Sequence, residues 1–165
     1  MKLERLALIA EIVSGIAIVI TLIVLVVEVR DNTSAVRAET RQSLAERVER
    51  ITMTVATDDE LADLVTAAAS GDFELVDDLR VRAFVTAILR NTEEAFLQVQ
   101  EGRLEPGYFA ARLQGVLFVL ANGATNSIYA DQKAEGLYDR EFTNALDGAI
   151  ESWRRQEQGQ PHHTP

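Results

Sequence analysis

The chain contains no cysteine, which excludes disulfides, thiolate nucleophiles and sulfur-ligated metals together. Histidine is almost as scarce. His162 and His163 sit in a Gly, Gln and Pro-rich end, GQPHHTP, with too little apolar content to fold. A folded part without imidazole excludes His-dependent triads, His-ligated zinc and the Glu-x-x-His di-iron pattern of bundles. Phosphate loops are missing too: neither GxxxxGK[ST] nor GxGxxG occurs, and no Asp-x-Asp-x-Asp-Gly loop with a closing Glu suggests an EF-hand. Positive charge is short, with 16 Lys and Arg against 26 Asp and Glu. The deficit lies entirely beyond residue 50, where 19 carboxylates face 9 cations. Such a surface repels nucleic acid and anionic lipid alike.

What is present begins with a long apolar run. Leu6 to Val27 reads LALIAEIVSGIAIVITLIVLVV, with Glu11 its one ionisable side chain. As a helix it spans roughly 33 Å, enough for a hydrocarbon core of about 30 Å. A secretory signal peptide is the alternative, but the run is long for one and no small-x-small cleavage site follows directly. The expectation is an uncleaved single-pass anchor, residues 6–27, behind a short tail, residues 1–5. Lys2 and Arg5 precede it while Arg30, Arg37, Arg41 and Arg47 follow, a bias toward a cytoplasmic C-terminal side.

Ala7, Ala10, Ser14, Ala17 and Thr21 recur at 3, 4, 3 and 4 and share one helix face. A line of small side chains lets a second backbone approach in lipid, and the expected partner is a copy of this chain or another membrane protein. Alanine is also common in membrane helices without such a role. Glu11 projects beside this face, either as a hydrogen-bonding or proton-handling group or as a carboxylate that reaches the interface.

After the membrane, residues 28–56 carry no proline or glycine and predict a stalk helix with a narrow apolar face of Val36, Leu44, Val48, Ile51 and Val55, Thr40 filling the gap. Asp31 to Ser34 is the plausible break, since those residue types prefer caps. Asn32-Thr33-Ser34 matches a glycosylation acceptor but lies close to the membrane face. Residues 57–156 predict a bundle packing on the stalk. Thr57 with Glu60 has capping-box form, and Leu61, Leu64, Val65 and Ala68 make a stripe ended by Gly71. A long central helix over 74–100 presents Val81, Phe84, Val85, Ile88, Leu89, Thr92, Ala95, Phe96 and Val99 and stops at Gly102. A fourth helix enters through Pro106 and carries Phe109, Leu113, Val116, Leu117 and Leu120, widened by Phe118 and Val119, until Asn122-Gly123. A less regular stretch over 124–138 offers Ile128, Tyr129, Leu137 and Tyr138. The last helix, 139–156, packs through Phe142, Ala145, Leu146, Ala149, Ile150 and Trp153, and residues 157–165 form a disordered tail. No β alternation or internal repeat is visible, so the fold class is all-α: a transmembrane helix, a stalk, then a compact helical bundle.

Among the acidic clusters, Asp58-Asp59-Glu60 and Asp77-Asp78 read as solvated faces. Glu93 and Glu94 lie between apolar neighbours, so one of them is expected to enter the core and pair with Arg82 or Arg90.

Glu11 to Thr40 resembles a widespread group of bacterial single-pass membrane proteins of uncharacterised activity. The likeness rests on a Glu-Ile-Val start, a membrane helix, and an exit of the Gln-Ile-Arg-x-Asn-Thr-x-Ala-x-Arg-Ala type, written here Glu28-Val29-Arg30-Asp31-Asn32-Thr33-Ser34-Ala35-Val36-Arg37-Ala38. Glu28 departs from the usual Gln. The resemblance implies a bacterial inner-membrane location, a helical domain, and a recurring boundary motif of Glu11, Glu28, Arg30, Asn32, Thr33 and Arg37; it implies no reaction. The leading functional expectation is a non-catalytic interaction protein, self-associating or accessory to a membrane complex, with no cofactor and no catalytic residue. A membrane-tethered sensor with a small ligand between its helices is the alternative. An enzyme built on Glu93, Glu94, Arg90 and Tyr129 comes third.

Overall fold

The computed structural model describes residues 2–120 and 123–159, with side chains over 11–156 apart from 12, 121 and 122. The expected helix stop at Asn122 and the end carrying His162 and His163 lie outside this range. The described chain is all-α: α1 (Lys2–Ala56), α2 (Asp59–Ser70), a 3-10 turn (Phe73–Asp77), α3 (Leu79–Gln100), α4 (Pro106–Leu120), α5 (Gly123–Ala134) and α6 (Arg140–Gly159), with no strand among these residues. It divides into two compact units, Met1–Glu39 and Thr40–Pro165.

In the first unit residues 13–27 of α1 present apolar side chains on every face. From Val13 to Val29 its large side chains, Val13, Ile16, Leu22 and Val27 among them, expose 52–59% of their surface. Its most apolar window has mean hydropathy 2.4 and buries nothing, which makes α1 the one described helix long and apolar enough to cross a membrane. The helix starts at Lys2, so most of the expected tail is helical. No break occurs over 31–34: Thr33 turns its hydroxyl back onto the Val29 carbonyl at 2.8 Å. That satisfies the side chain without opening the backbone.

The second unit claims residues 40–56 of α1, which the sequence placed in a stalk. Leu44 is buried with Ala95 of α3 and Leu104, and Val99 and Tyr108 pack against them. The main core is drawn from all the other helices: Ala68 of α2, Val81, Val85 and Leu89 of α3, Leu117 and Leu120 of α4, Ile128 of α5, Phe142 and Leu146 of α6. Its aromatic members form a chain, with Phe96 5.1 Å from Phe109 and 5.9 Å from Phe142, and Tyr138 6.1 Å from Phe142. Phe118, expected to widen the buried face of α4, instead points outward, 77% exposed.

Local chemistry fixes the helix ends. α2 is capped by Asp58, whose carboxylate accepts from the Leu61 N–H at 3.0 Å. Thr57 does not form the expected capping box, because its N–H and hydroxyl both bond to the Met53 carbonyl in the last turn of α1. The third helix starts five residues later than expected. Residues 73–77 tighten into the 3-10 turn, and Asp78 then caps α3 by accepting from the Arg80 and Val81 N–H groups. The clusters read as solvated faces thus contain two caps. Asp58 and Glu60 also hold Arg80, at 3.1 and 3.0 Å. These contacts, the hydrogen bond that Arg80 donates to Glu60 foremost, raise the Arg80 pKa. Gly71 and Gly102 end α2 and α3 as expected, both at positive φ. The stretch expected to be irregular is a helix, α5, burying Ala124, Thr125, Ile128, Tyr129 and Gln132. The last helix is capped by Asp139 and runs on to Gly159, three residues beyond the expected end.

Candidate ligand-binding site

The polar residues of the second unit fall into two groups, one satisfied and one not. The satisfied group joins α3, α5 and α6. Gln132 of α5 donates to the Thr86 hydroxyl at 2.6 Å and accepts from Tyr138 at 2.5 Å. The Arg90 guanidinium lies 5.1 Å from the Tyr138 ring centre. Glu93, only 6% exposed, is the carboxylate that enters the core. One oxygen meets Arg90 at 2.9 Å and the other accepts from the Asp139 N–H at 2.5 Å. Arg82 turns elsewhere, to Asp131 at 3.6 Å and the Val76 carbonyl.

The remaining members of the carboxylate hypothesis do not join this pair. Glu94 accepts from Gln98 at 2.7 Å on its own helix, and Tyr129 donates to Asp147 at 2.9 Å, which is also bound by Lys133. Burial, then the hydrogen bond with Asp147, raises the Tyr129 pKa. Tyr138 is pushed up to about 12, chiefly by burial, with Arg90 pulling down and Glu93 pushing up. Both phenols are therefore held neutral. In the unfolded chain a tyrosine loses its proton near pH 10, so the stability they contribute is complete below that pH and drains away as pH rises toward 12. Alkaline titration of the full chain, followed by circular dichroism, is expected to show this loss. Tyr138→Phe should shift the alkaline midpoint upward while costing about 1 kcal/mol at neutral pH for the lost hydrogen bond; an unmoved midpoint would contradict the assignment.

The unsatisfied group lies across the unit, where residues 48–56 of α1 meet α2, α3 and α4. A cleft of about 590 Å³ opens there, lined by Val48, Ile51, Val55, Phe84, Ile88 and Val116, with Asn91, Thr92, Asp59 and Arg112 as polar members. This volume is within the usual range for small-molecule sites, roughly 300–1,000 Å³. Asn91 is 5% exposed, and its Nδ2 is the one buried side-chain donor or acceptor among the described residues that has no hydrogen-bond partner. Such a group ordinarily costs about 1–3 kcal/mol. Arg112 is half-buried and held from behind: its Nη2 donates to the Leu44 carbonyl at 3.1 Å and to the Tyr108 hydroxyl at 3.4 Å, with the Tyr108 ring 5.7 Å away.

The sequence named Phe84, Ile88 and Thr92 as core; Thr92 is buried at 1% exposure and Phe84 packs against the main core, and all three also line the cleft. Asn91 and Arg112 were not singled out as a pair. Helix spacing alone could have set Asn91 one turn beyond Ala87 on the flank of α3, but not opposite an arginine of α4.

The membrane-helix candidates are placed as follows. Ser14, Ala17 and Thr21 lie exposed on one face of α1, and the Thr21 hydroxyl donates to the Ala17 carbonyl at 2.9 Å. Glu11 is exposed beside them. Ala7 and Ala10 lie in the same helix, their side chains outside the described set. The exit residues are exposed and split between two sides of the helix: Glu28 and Asn32 on one, Arg30, Thr33 and Arg37 roughly opposite, at about 100° per residue. They form no single cluster. Among the described residues no group of acidic side chains is arranged to hold a metal ion. No protein-family model, curated protein or solved structure matches this chain.

Proposed function

We propose that the chain is a membrane-anchored, non-catalytic helical protein whose C-terminal unit binds a small ligand, with residues 6–27 of α1 as the anchor. The observation that carries the binding role is the orphaned Asn91 amide on the wall of a mainly apolar cleft. A buried donor without a protein partner calls for an acceptor from outside the protein, and Asn91 lies on the wall of a cleft of ligand size. The anchor is supported by a helix whose most apolar window is 0% buried among the described residues, a condition that suits lipid. The likeness of residues 11–40 to bacterial membrane proteins supports the inner membrane as its location, and the arginines after the helix support a cytoplasmic C-terminal unit. The test is gentle detergent extraction of the full chain from cell membranes, followed by native mass spectrometry. The expected result is full-length protein in the membrane fraction, uncleaved, carrying a small-molecule adduct. Recovery from the aqueous fraction would refute the anchor, and a bare protein mass the ligand.

A second reading, association with a copy or a membrane partner through α1, is supported by the face of Ser14, Ala17 and Thr21. The Thr21 hydroxyl donates within the helix, and the small side chains of this face leave a shallow surface for an approaching backbone. Cross-linking in native membranes should then capture more than the monomer; monomer alone would count against it.

A further inference from the structure

We infer that the cleft takes an amphiphile with a hydrocarbon body and a carboxylate head, the head held jointly by Asn91 and Arg112; this rests on reading the cleft as a ligand site. Three features select that chemistry. The walls are branched aliphatics and Phe84, which offer a hydrocarbon body dispersion contacts and removal from water. Asn91, 5% exposed, lines the cleft, and its buried Nδ2 has no partner among the described residues, so a turn of the amide toward the cleft would present a donor to an acceptor on the ligand.

The third feature is the state of Arg112. Beyond residue 50 carboxylates outnumber cations by 19 to 9, yet among the described residues no carboxylate lies within ion-pair distance of Arg112. Neighbouring arginines find acidic partners: Arg80 meets Asp58 and Glu60, Arg82 meets Asp131, Arg90 meets Glu93. Among the described residues Arg112 donates through Nη2 alone, to Leu44 and Tyr108. That contact fixes the plane of the guanidinium and leaves Nε and Nη1 for an outside acceptor. A guanidinium fork matches a carboxylate, and charge-assisted bonds of this kind are roughly twice as strong as neutral ones. Asp59, exposed at the rim, disfavours a second negative charge and limits the ligand to a monoanion.

The test uses the full chain in nanodiscs of zwitterionic phosphatidylcholine, with thermal unfolding followed through Trp153, the only tryptophan. The probes are decanoate, decanol and decyltrimethylammonium at equal free concentration. Decanoate is expected to raise the midpoint by several degrees and decyltrimethylammonium to leave it unchanged. Asn91→Leu and Arg112→Met should each weaken decanoate binding by about tenfold or more. Asn91→Leu without ligand should melt no lower than the parent, because it removes an unpaired buried donor, so its loss of binding is not a loss of fold. Gly115 lines the cleft, and a side chain there meets nothing within 4 Å; Gly115→Leu should fill the space and abolish binding of every probe. If decanol stabilises as well as decanoate and both variants bind normally, the carboxylate assignment fails while the ligand site stands. If no probe shifts the parent, or Gly115→Leu leaves the shift intact, the site itself is wrong.

Discussion

Gly123→Ala is expected to destabilise the helical unit by about 2–5 kcal/mol, from left-handed strain of roughly 1–2 and overpacking of roughly 1–3. Gly123 opens α5 at φ +70°, and a Cβ there would lie 2.4 Å from the Ala68 carbonyl oxygen, 2.9 Å from the Gly71 nitrogen and 3.0 Å from the Ala69 oxygen. All three are backbone atoms at the end of α2, so no rotamer change relieves the clash. Gly136 supplies the control. It has nearly the same φ, +73°, but open space around the added carbon, so Gly136→Ala should lose the conformational part alone. Gly148→Ala, inside α6 with nothing near, should gain about 0.5–1 kcal/mol. Chemical unfolding of the three variants, followed through Trp153, measures the differences. Equal losses at Gly123 and Gly136 would mean that α5 does not start against the end of α2.

That junction also shows where sequence reading stopped. Asn122-Gly123 marks the end of α4 by composition, and nothing local says that the same glycine begins another helix. The apolar pattern of α5 is disguised because two of its five buried positions are polar, Thr125 and Gln132. The five are buried at helical spacing, one and three residues apart in alternation; Thr125 is made tolerable by the Val119 carbonyl of α4, and Gln132 by Tyr138 and Thr86 of α3. Of these partners Thr86 is distant in sequence, and only the packed unit brings it near. By contrast α2, α3 and α6 were legible, since Leu61, Val65 and Ala68, or Phe142, Leu146 and Ile150, are apolar and regularly spaced. Their starts were less so. Thr57 and Asp58 are both good caps, and which one serves is decided by whether Thr57 still belongs to the last turn of α1.

The site was the least legible part. A hydrophobic stripe on α3 reads the same whether another helix covers it or a cleft does, so Phe84 and Ile88 looked like core. Asn91 is ordinary as a residue and unusual only in being buried without a partner, a property of the packed unit. Arg112 is likewise conspicuous only against Arg80, Arg82 and Arg90, each of which has found a carboxylate. Charge totals predicted an excess of carboxylates but not which arginines beyond residue 50, Arg112, Arg140 and Arg155 among the described ones, would be left without an ion pair. The Glu93 and Arg90 pair was legible because i,i+3 spacing brings such residues together on any helix.

The anchor, read from composition alone, supports the prediction with the largest effect: Ile16→Lys with Ile20→Lys should abolish membrane integration. Both side chains are exposed near the middle of the apolar run, at 55% and 56%, so in a bilayer each would face hydrocarbon or a partner helix. On an insertion scale a central lysine is unfavourable by about 2.5–3.5 kcal/mol, while the isoleucine it replaces is favourable by roughly 0.3–0.6. Two such changes move the balance by about 6–8 kcal/mol. That exceeds what side-chain snorkelling can recover at this depth, because the nearer interface is about two turns from Ile20 and nearly three from Ile16, at roughly 1.5 Å per residue. Glu28→Lys, just past the apolar run, should leave integration unchanged. Alkaline extraction of membranes expressing each full-length variant distinguishes the outcomes: the double variant in the supernatant or degraded, Glu28→Lys in the pellet with the parent. A double variant that stays in the pellet and resists extraction would mean that something other than insertion of residues 6–27 holds the chain there.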